Sequence, residues 1–257
     1  MSINRAMRII RTVARAGGPV TPTEIAGQIG VPRATVYRLI STLENEEVLH
    51  RSADRSNVEL TAGFLRSMIA GASTDQIIAG FEEALSCTAN SWGATSFLGR
   101  LNGNSVEVVH AVAPCDAKLG FVHPGNNIRP AHACSASRAI LAFLPKEKAT
   151  AIIGDDCEAF TEKTISDGDA LENELAATRQ RGYAVCDEEI DPGICSVAAP
   201  VIVGRAGVVY SLGIVSFAKR IHEQGIPVIG EYLHAKAKGA VLNASQNLFE
   251  FTPSNQT

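Results

Sequence analysis

The sequence predicts an α+β protein with an N-terminal winged helix-turn-helix, a helical linker and a C-terminal domain built on an antiparallel sheet. Three patterns lead to this prediction. Residues 1–60 hold short amphipathic helices followed by two strand-like runs, residues 61–75 continue the helical periodicity, and residues 76–250 mix helices with alternating strands. Because its 257 residues are 46% hydrophobic, the chain is long and apolar enough to form two cores.

Composition and cysteine spacing exclude several classes of protein. No apolar run reaches the length of a membrane-spanning helix, and residues 1–15 hold four arginines without the apolar core of a signal peptide. We therefore expect a cytoplasmic protein with no membrane contact. The cysteines lie far apart without a CxxC pair, which predicts free thiols, no cofactor and no metal site. They are Cys87, Cys115, Cys134, Cys157, Cys186 and Cys195.

The first three helices are predicted from periodicity and capping. Met1–Ala16 places apolar residues on one helical face and is followed by Gly17-Gly18-Pro19, which ends the helix. Thr21-Pro22-Thr23-Glu24 forms a capping box with proline at the first helical position, and Gly30 closes this short second helix. The third helix runs from Arg33 to Glu44. Two short helices joined by a tight glycine turn constitute a helix-turn-helix.

The third helix carries residue types that read DNA on the side opposite its apolar stripe. Arginine pairs with guanine, hydroxyl groups bond bases or phosphates, and a helix N-terminus attracts phosphate. Residues 1–60 also hold eight arginines and no lysine against six acidic residues, and guanidinium suits such contacts. The candidate DNA-contacting residues are Arg33, Thr35, Tyr37, Arg38 and Ser41. An ordinary solvated helix face is the alternative, and the order of the elements favours DNA binding.

A hairpin wing is predicted directly after the third helix. Val48–Arg51 and Val58–Leu60 are short strand-like runs on either side of a polar, turn-forming stretch. Arg51 and Arg55 would then reach flanking phosphate or the minor groove. Arginines at a hairpin tip also serve solubility, which is the alternative for both.

The rest of the chain predicts linker helices and then an antiparallel sheet flanked by helices. Helical periodicity runs from Leu60 to Ser86 with an interruption at Gly71–Thr74, which predicts two helices. The order that follows is β-β-β, α, α, β-β, α. The predicted strands are Ala94–Leu98, Ser105–Val112, Ala117–Val122, Ser196–Val203 and Val208–Ser216, with a turn at 204–207, and the predicted helices are Ala133–Leu144 and Asp169–Arg181.

Several segments resemble the IclR family of regulators and together span nearly the whole chain. Pro22–Ala26 and Arg33–Leu43 are similar to the DNA-binding signature of that family, which has a T-V-x-R-L core. His132–Ala142, Arg181–Glu189 and Gly193–Val201 are similar to segments of its effector-binding domain, a GAF-like fold. The resemblance therefore implies a DNA-binding domain at 1–60, a linker at 61–75 and an effector-binding domain at 76–250.

The resemblance also implies roles for individual residues. Thr35 and Arg38 are implied to contact DNA. The implied effector-binding residues are Ser135 and Ala136, through their backbone, together with Cys186, Ser196, Gly213 and Val215. His123, Arg129 and His132 are alternative groups for binding an acid.

This chain departs from the family pattern at the implied effector site. Relatives that bind two- or three-carbon acids tend to carry a carboxylate where Cys186 stands, a cysteine at Ser196, and serines at Gly213 and Val215. The departures predict a wider and less polar pocket. We therefore expect an aromatic or other mid-sized organic acid as the ligand.

An enzyme and a metal site are alternative interpretations of the cysteines and histidines. The candidate nucleophiles are Cys134, Cys186 and Cys195, and the candidate bases are His123 and His132. A metal site would use those histidines with Cys134 and Asp187, which lack local ligand spacing. Since no G-x-S-x-G turn, catalytic-cysteine signature or Walker loop occurs, we expect no enzymatic activity and no catalytic residue.

The resulting hypothesis is a regulator that binds double-stranded operator DNA and a small organic acid. One helix-turn-helix reads only a few base pairs, so a homodimer is expected, and the resemblance suggests a dimer of dimers. Repression is the more frequent role in the family, while an activator of a catabolic operon has the same architecture. The remaining hypothesis is a sensor whose helix-turn-helix contacts only another protein.

Overall fold

A computed structural model of the chain describes residues 2–16, 18–54, 56–61, 63–64, 67–68, 74–116, 128–154, 156–202 and 208–249. The chain divides into two compact units, which consist mainly of Met1–Gly80 in the first and of Phe81–Val203 with Gly207–Val241 in the second. No helix among these described residues is long and apolar enough to span a bilayer.

The first unit has the predicted helix-turn-helix and hairpin. Its helices are α1 (Ser2–Ala16), α2 (Pro22–Ile29) and α3 (Arg33–Asn45), and its antiparallel strands are β1 (Leu49–Arg51) and β2 (Val58–Leu60). Each was expected from the sequence within a residue or two at the ends. The confirmed signals are all local, because capping and periodicity are set by neighbours along the chain.

The turn between α2 and α3 is defined by its caps. The Thr21 hydroxyl accepts from the Glu24 backbone N–H at 3.2 Å, and the Glu24 carboxylate accepts from the Thr21 N–H at 2.8 Å. At the other end Gly30 has a φ of 61° and its N–H bonds the carbonyl of Ala26. Only glycine adopts that left-handed backbone without strain, so the turn can be this tight.

A single hydrophobic core holds the first unit together. Ile9 of α1, Ile25 of α2 and Ile40 of α3 are fully buried in it. Val58 of the hairpin also lies there and exchanges two backbone hydrogen bonds with Val20, at 3.1 and 2.8 Å. The hairpin is therefore attached to the helices by backbone pairing as well as by packing.

The predicted linker is partly described. Phe64 and Met68 pack against the core of the first unit, and the Thr61 hydroxyl accepts from the Phe64 N–H at 3.1 Å. The interruption predicted at Gly71–Thr74 falls mostly outside the described residues. The next helix, α4 (Thr74–Trp92), is continuous.

The second unit is a six-stranded antiparallel sheet with helices on both faces. The strand order is β5-β4-β3-β8-β7-β6. The strands are β3 (Thr95–Asn102), β4 (Ser105–Val112), β5 (Ile128–Arg129), β6 (Ala184–Asp187), β7 (Ile194–Ile202) and β8 (Val208–Phe217). The helices after α4 are α5 (Ser135–Leu141), α6 (Lys146–Ile153), α7 (Gly168–Arg181), α8 (Ala218–Gln224) and α9 (Ile226–Phe249).

Several predicted elements of this unit need correction. The helix expected over Ala133–Leu144 is shorter, because Cys134 has an extended backbone and Leu144 precedes Pro145, a position that disfavours helix. Strands β5 and β6 and helices α6 and α8 were not predicted. The predicted strand Ala117–Val122 and the turn at 204–207 lie outside the described residues.

A buried ion pair fixes α5 on the sheet. Arg138 is fully buried, and both of its terminal nitrogens donate to the Glu189 carboxylate, at 2.6 and 2.5 Å. Its remaining bonds go to backbone carbonyls, from Nε to His132 at 2.5 Å and from Nη1 to Val185 at 3.1 Å. The guanidinium thus connects α5 to β6 and to the segment that follows β6.

We predict that Arg138→Met destabilises the second unit by about 3–5 kcal/mol, because it leaves the buried Glu189 carboxylate unpaired. The measurement is urea unfolding followed by the fluorescence of Trp92, the only tryptophan, which lies in this unit. The control is Lys146→Met at the exposed Lys146–Glu172 pair, where solvent screens the charges and no measurable change is expected. Equal effects of the two substitutions would contradict the role given to Arg138.

Candidate functional site

Helix α3 exposes a row of polar and charged side chains opposite its buried face. Its buried residues are Val36, Leu39, Ile40 and Leu43. Of the predicted DNA-contacting residues, Thr35 is half-buried and the exposed ones are Arg33, Tyr37, Arg38 and Ser41. Neither Arg33 nor Arg38 has an ion-pair partner within the described part of the chain. The predicted face is therefore open, with two guanidinium groups available on it.

Arg51 is placed differently from the prediction. Its Nε lies 3.1 Å from a Glu44 carboxylate oxygen, its guanidinium lies 5.5 Å from the centre of the Tyr37 ring, and an Nη atom lies 3.5 Å from the Ser41 hydroxyl. Its side chain is only 14% exposed. Arg51 thus holds the hairpin against α3 and supports the Tyr37 ring, whereas we expected it to reach outward. The other predicted arginine of the wing, Arg55, lies outside the described residues.

The turn of the hairpin is organised around Asp54. Its carboxylate accepts hydrogen bonds from the hydroxyls of Ser52 and Ser56, the latter at 2.7 Å, and from the Ser56 N–H at 3.1 Å. These bonds lower the pKa of Asp54 to about 2. The Asp54 carboxylate thus joins Ser52, at the start of the turn, to Ser56 near its end.

The second candidate site lies on the face of the sheet that α5 covers. Register pairs Cys186 with Ser196, and Ser196 with Val215, so these three residues share one face at one level. One level further along the strands, Ala198 pairs with Gly213. The sheet therefore brings four of the six predicted effector residues together.

Helix α5 supplies the other two predicted residues. Ser135 and Ala136 begin α5 and are fully buried, and no side chain caps this helix end at Cys134. The Ser135 hydroxyl lies 2.7 Å from the Ser196 hydroxyl. The start of α5 is thus hydrogen-bonded to the middle of the row of residues on the sheet.

Phe97 occupies the space that the missing side chain at Gly213 leaves. The two residues are register partners on β3 and β8. A methyl group added at Gly213 would lie 2.7 Å from Cε2 of Phe97 and 2.7 Å from the carbonyl oxygen of Val197. The glycine therefore accommodates an aromatic ring, and at this position it does not widen the pocket as the sequence suggested.

Sequence reasoning missed three residues on this face, namely Thr95, Phe97 and Ser211. The hydroxyls of Thr95 and Ser211 are buried and have no hydrogen-bond partner within the described part of the chain. Unpaired buried hydroxyls cost free energy, so they mark a place where a polar ligand group or water is expected. The alternation of residues 95–99 was the available signal, but the register of β3 against β8 was needed to place them.

Among the described residues, the candidate nucleophiles Cys186 and Cys195 are not activated thiols. Burial raises the pKa of the Cys186 thiol to about 12, and burial beside Asp187 raises that of Cys195 as well. His132 bonds the Glu158 carbonyl at 2.9 Å and stacks on Phe160. The alternative acid-binding groups His123 and the Arg129 side chain lie outside the described residues. Buried thiols with raised pKa values are poor nucleophiles at neutral pH.

The fold and these two faces define a class of protein: a transcription regulator that joins a winged helix-turn-helix to a separate α+β unit. Residues 2–53 match the model of the IclR helix-turn-helix domain, and residues 71–240 match that of the bacterial transcriptional regulator IclR C-terminal domain. The chain therefore belongs to the IclR family of DNA-binding transcription regulators. Members of this family bind operator DNA and small-molecule effectors, and they are not enzymes.

Individual relatives cover most of the chain. It is 31% identical over 224 residues to the HTH-type transcriptional regulator TtgV of Pseudomonas putida, and the aligned region covers 86% of this chain and 83% of that protein. It is 25% identical over 246 residues to the acetate operon repressor of Salmonella typhimurium, and the aligned region covers 94% of this chain and 89% of that protein. Among solved structures, an IclR homolog from Microbacterium hydrocarbonoxydans complexed with 4-hydroxybenzoate has the same fold, with a TM-score of 0.57, 17% identity, and coverage of 94% and 99%.

We predict that Gly213→Ala destabilises the second unit by about 1–3 kcal/mol, because the new methyl group meets the Phe97 ring and a backbone carbonyl. The free energy of unfolding is measured by urea titration. Gly168→Ala is the control, since nothing lies within 4 Å of a methyl group there. Adding Phe97→Leu to Gly213→Ala should recover part of the loss, and a strictly additive double variant would refute the contact.

Proposed function

We propose that the chain is a repressor whose α3 binds in the major groove of operator DNA and whose operator affinity changes when an aromatic or other mid-sized organic acid binds the second unit. The exposed face of α3 carries the first half of this proposal. Arg33 and Arg38 are exposed there on a helix whose opposite side is fully packed. The domain borders that go with it are 1–60, 61–75 and 76–250.

The proposed DNA contacts divide into direct and supporting ones. The exposed Arg38 and Ser41 and the half-buried Thr35 would bond base edges or phosphates, and Arg33 at the first turn would bond phosphate. Tyr37 is 42% exposed. Tyr37 would contact the DNA backbone. Its ring is held in place by the Arg51 guanidinium, which is itself paired with Glu44. Arg55 is proposed to contact flanking phosphate from the wing.

The proposed effector site is the buried face between α5 and the sheet. Polar contacts for a carboxylate or phenol would come from the Ser135–Ser196 hydroxyl pair, the backbone of Ala136 and the Thr95 hydroxyl. Apolar contacts would come from Phe97, Cys186 and Val215. A ligand with one carboxylate and one apolar part would match this combination of polar and apolar contacts. The complex of the neighbouring homolog with 4-hydroxybenzoate supports that ligand class.

We propose a homodimer that assembles further into a dimer of dimers in the cytoplasm, where operator DNA lies. A single α3 covers one half-site, so paired copies would read half-sites about one helical turn apart. The name of the acetate operon repressor supports repression as the direction of control. A reporter fused to the chain's own upstream region distinguishes repression from activation.

We predict that Arg38→Ala weakens operator binding by about 1–3 kcal/mol, roughly 5- to 150-fold in Kd, because it removes a charge-assisted contact from the groove. Fluorescence anisotropy with DNA from the upstream region measures this at fixed salt concentration. Lys219→Ala removes one positive charge from a side chain that is 88% exposed in the second unit and should leave Kd unchanged. Retention of full affinity by Arg38→Ala would remove this residue from the interface.

We predict that calorimetry of the full chain gives binding heat with 4-hydroxybenzoate, benzoate or phenylacetate and none with glyoxylate or pyruvate. Ser196→Ala should weaken the binding of the aromatic acid by about 0.5–1.5 kcal/mol, the contribution of one hydrogen bond. Ser105→Ala, on a strand but outside this face, is the control. Heat from pyruvate without heat from the aromatic acids would reject the proposed ligand class.

A further inference from the structure

Three side chains of different ligand types converge at one end of β6, β7 and α8. Asp187, Cys195 and His222 each present a ligand atom, and these atoms all lie within 4.8 Å of one another. Asp187 and Cys195 are register partners. From the last turn of α8, His222 Nε2 lies 3.0 and 2.9 Å from the two carboxylate oxygens of Asp187.

This cluster is separate from the proposed effector site. Successive residues of a strand point to opposite faces of a sheet. Cys186 and Ser196 face α5, so Asp187 and Cys195, their neighbours in sequence, face α8 on the other side. Neither the DNA contacts nor the effector contacts proposed above use any of the three side chains.

The donor set is one that zinc accepts. A thiolate, an imidazole and a carboxylate together suit a borderline-soft ion that takes four ligands in a tetrahedron. Two ligands on one zinc are about 3.3–3.8 Å apart, given bond lengths of about 2.0–2.3 Å. The His222–Asp187 separation of 2.9 Å is slightly shorter than that range, and no separation in the cluster exceeds 4.8 Å. The His222 side chain, which is 44% exposed, has room to adjust.

The cluster also has access to solvent on one side. Next to it lies an open cleft, lined by Glu188, Gly193, Phe217, Lys219, His222 and Glu223. Water from the cleft can supply a fourth ligand. Glu188 is less available for this role, because it already bonds Lys163 at 2.5 Å and the Gly193 N–H at 2.7 Å.

We propose that Asp187, Cys195 and His222 bind one zinc ion, with a water molecule completing a tetrahedral site. On binding, the Cys195 thiol releases its proton to solvent and its sulfur coordinates as a thiolate. The ion then links the end of the edge strand β6 to β7 and to α8. Because each strand ligand adjoins a residue of the effector face, the zinc also stiffens the floor of that site.

The test uses the full chain after removal of metal by a chelator, titrated with cobalt(II) as a coloured substitute for zinc and then with zinc itself. We expect one equivalent of cobalt to bind and to give both visible bands and a near-ultraviolet band from the thiolate, which zinc then abolishes. His222→Ala should lower the affinity at least about tenfold. Cys195→Ser should remove the near-ultraviolet band.

Two matched variants show whether the signal comes from this site. His110→Ala changes a histidine that also pairs with a carboxylate, that of Glu82 at 3.0 Å, but without a cysteine. Cys87→Ser removes an exposed thiol. Both variants should bind cobalt like the parent chain.

The proposal is overturned if the parent chain binds no cobalt at micromolar concentration, if His222→Ala keeps the parent affinity, or if Cys87→Ser removes the near-ultraviolet band. Because Cys195 is fully buried, its variant is compared only where its circular dichroism matches that of the parent. Otherwise the half-exposed His222 decides the outcome. Operator and effector binding are measured separately, so failure of this site is distinguishable from failure of the proposed function.

Discussion

The buried ion pair between Arg138 and Glu189 determines how α5 lies on the sheet, and with it the shape of the face proposed to bind the effector. A buried pair adds little net stability, since the attraction of the charges is offset by the loss of their hydration. What it adds here is geometry: the planar guanidinium meets one carboxylate and two carbonyls at once, which leaves α5 a single position on the sheet. The contact between Ser135 and Ser196 depends on that position.

The sequence predicted the first unit well because its determinants are local. The capping box, Gly30 and the apolar stripe of α3 act within a few residues, and a helical wheel is enough to find the exposed face. Arg51 was misjudged for the opposite reason. Its partners Glu44 and Tyr37 lie on another element, and the wing pattern carries no information about which way the side chain turns.

The proposed effector site was only partly predictable because four strands and a helix contribute to it. Family resemblance implied six positions. The sheet register brings four of them together, and the start of α5 supplies the other two. Thr95, Phe97 and Ser211 escaped notice because their relevance depends on how β3 pairs with β8, two strands far apart in the chain. The same pairing explains why Gly213 was misinterpreted. A glycine where relatives tend to carry serine suggested added space in the pocket, but the ring of Phe97 fills that space.

A ligand can change operator affinity only if two conformations bind it differently, so some wall of its site must be able to move. Helix α5 is a poor candidate, since four hydrogen bonds of Arg138 hold it. Strand β6 is short, lies at the edge of the sheet and pairs in it only with β7, but Arg138 also bonds the Val185 carbonyl of β6 and the Glu189 carboxylate just after it. Helix α5 and strand β6 are therefore held to each other, and neither shifts alone. Cys186 faces α5 from this strand while Asp187 faces α8, so a joint shift of α5 and β6 would change both faces of the sheet together. In the proposed regulator, the part that would move on effector binding is therefore α5 together with β6, because a shift of either one alone would break the hydrogen bonds of Arg138.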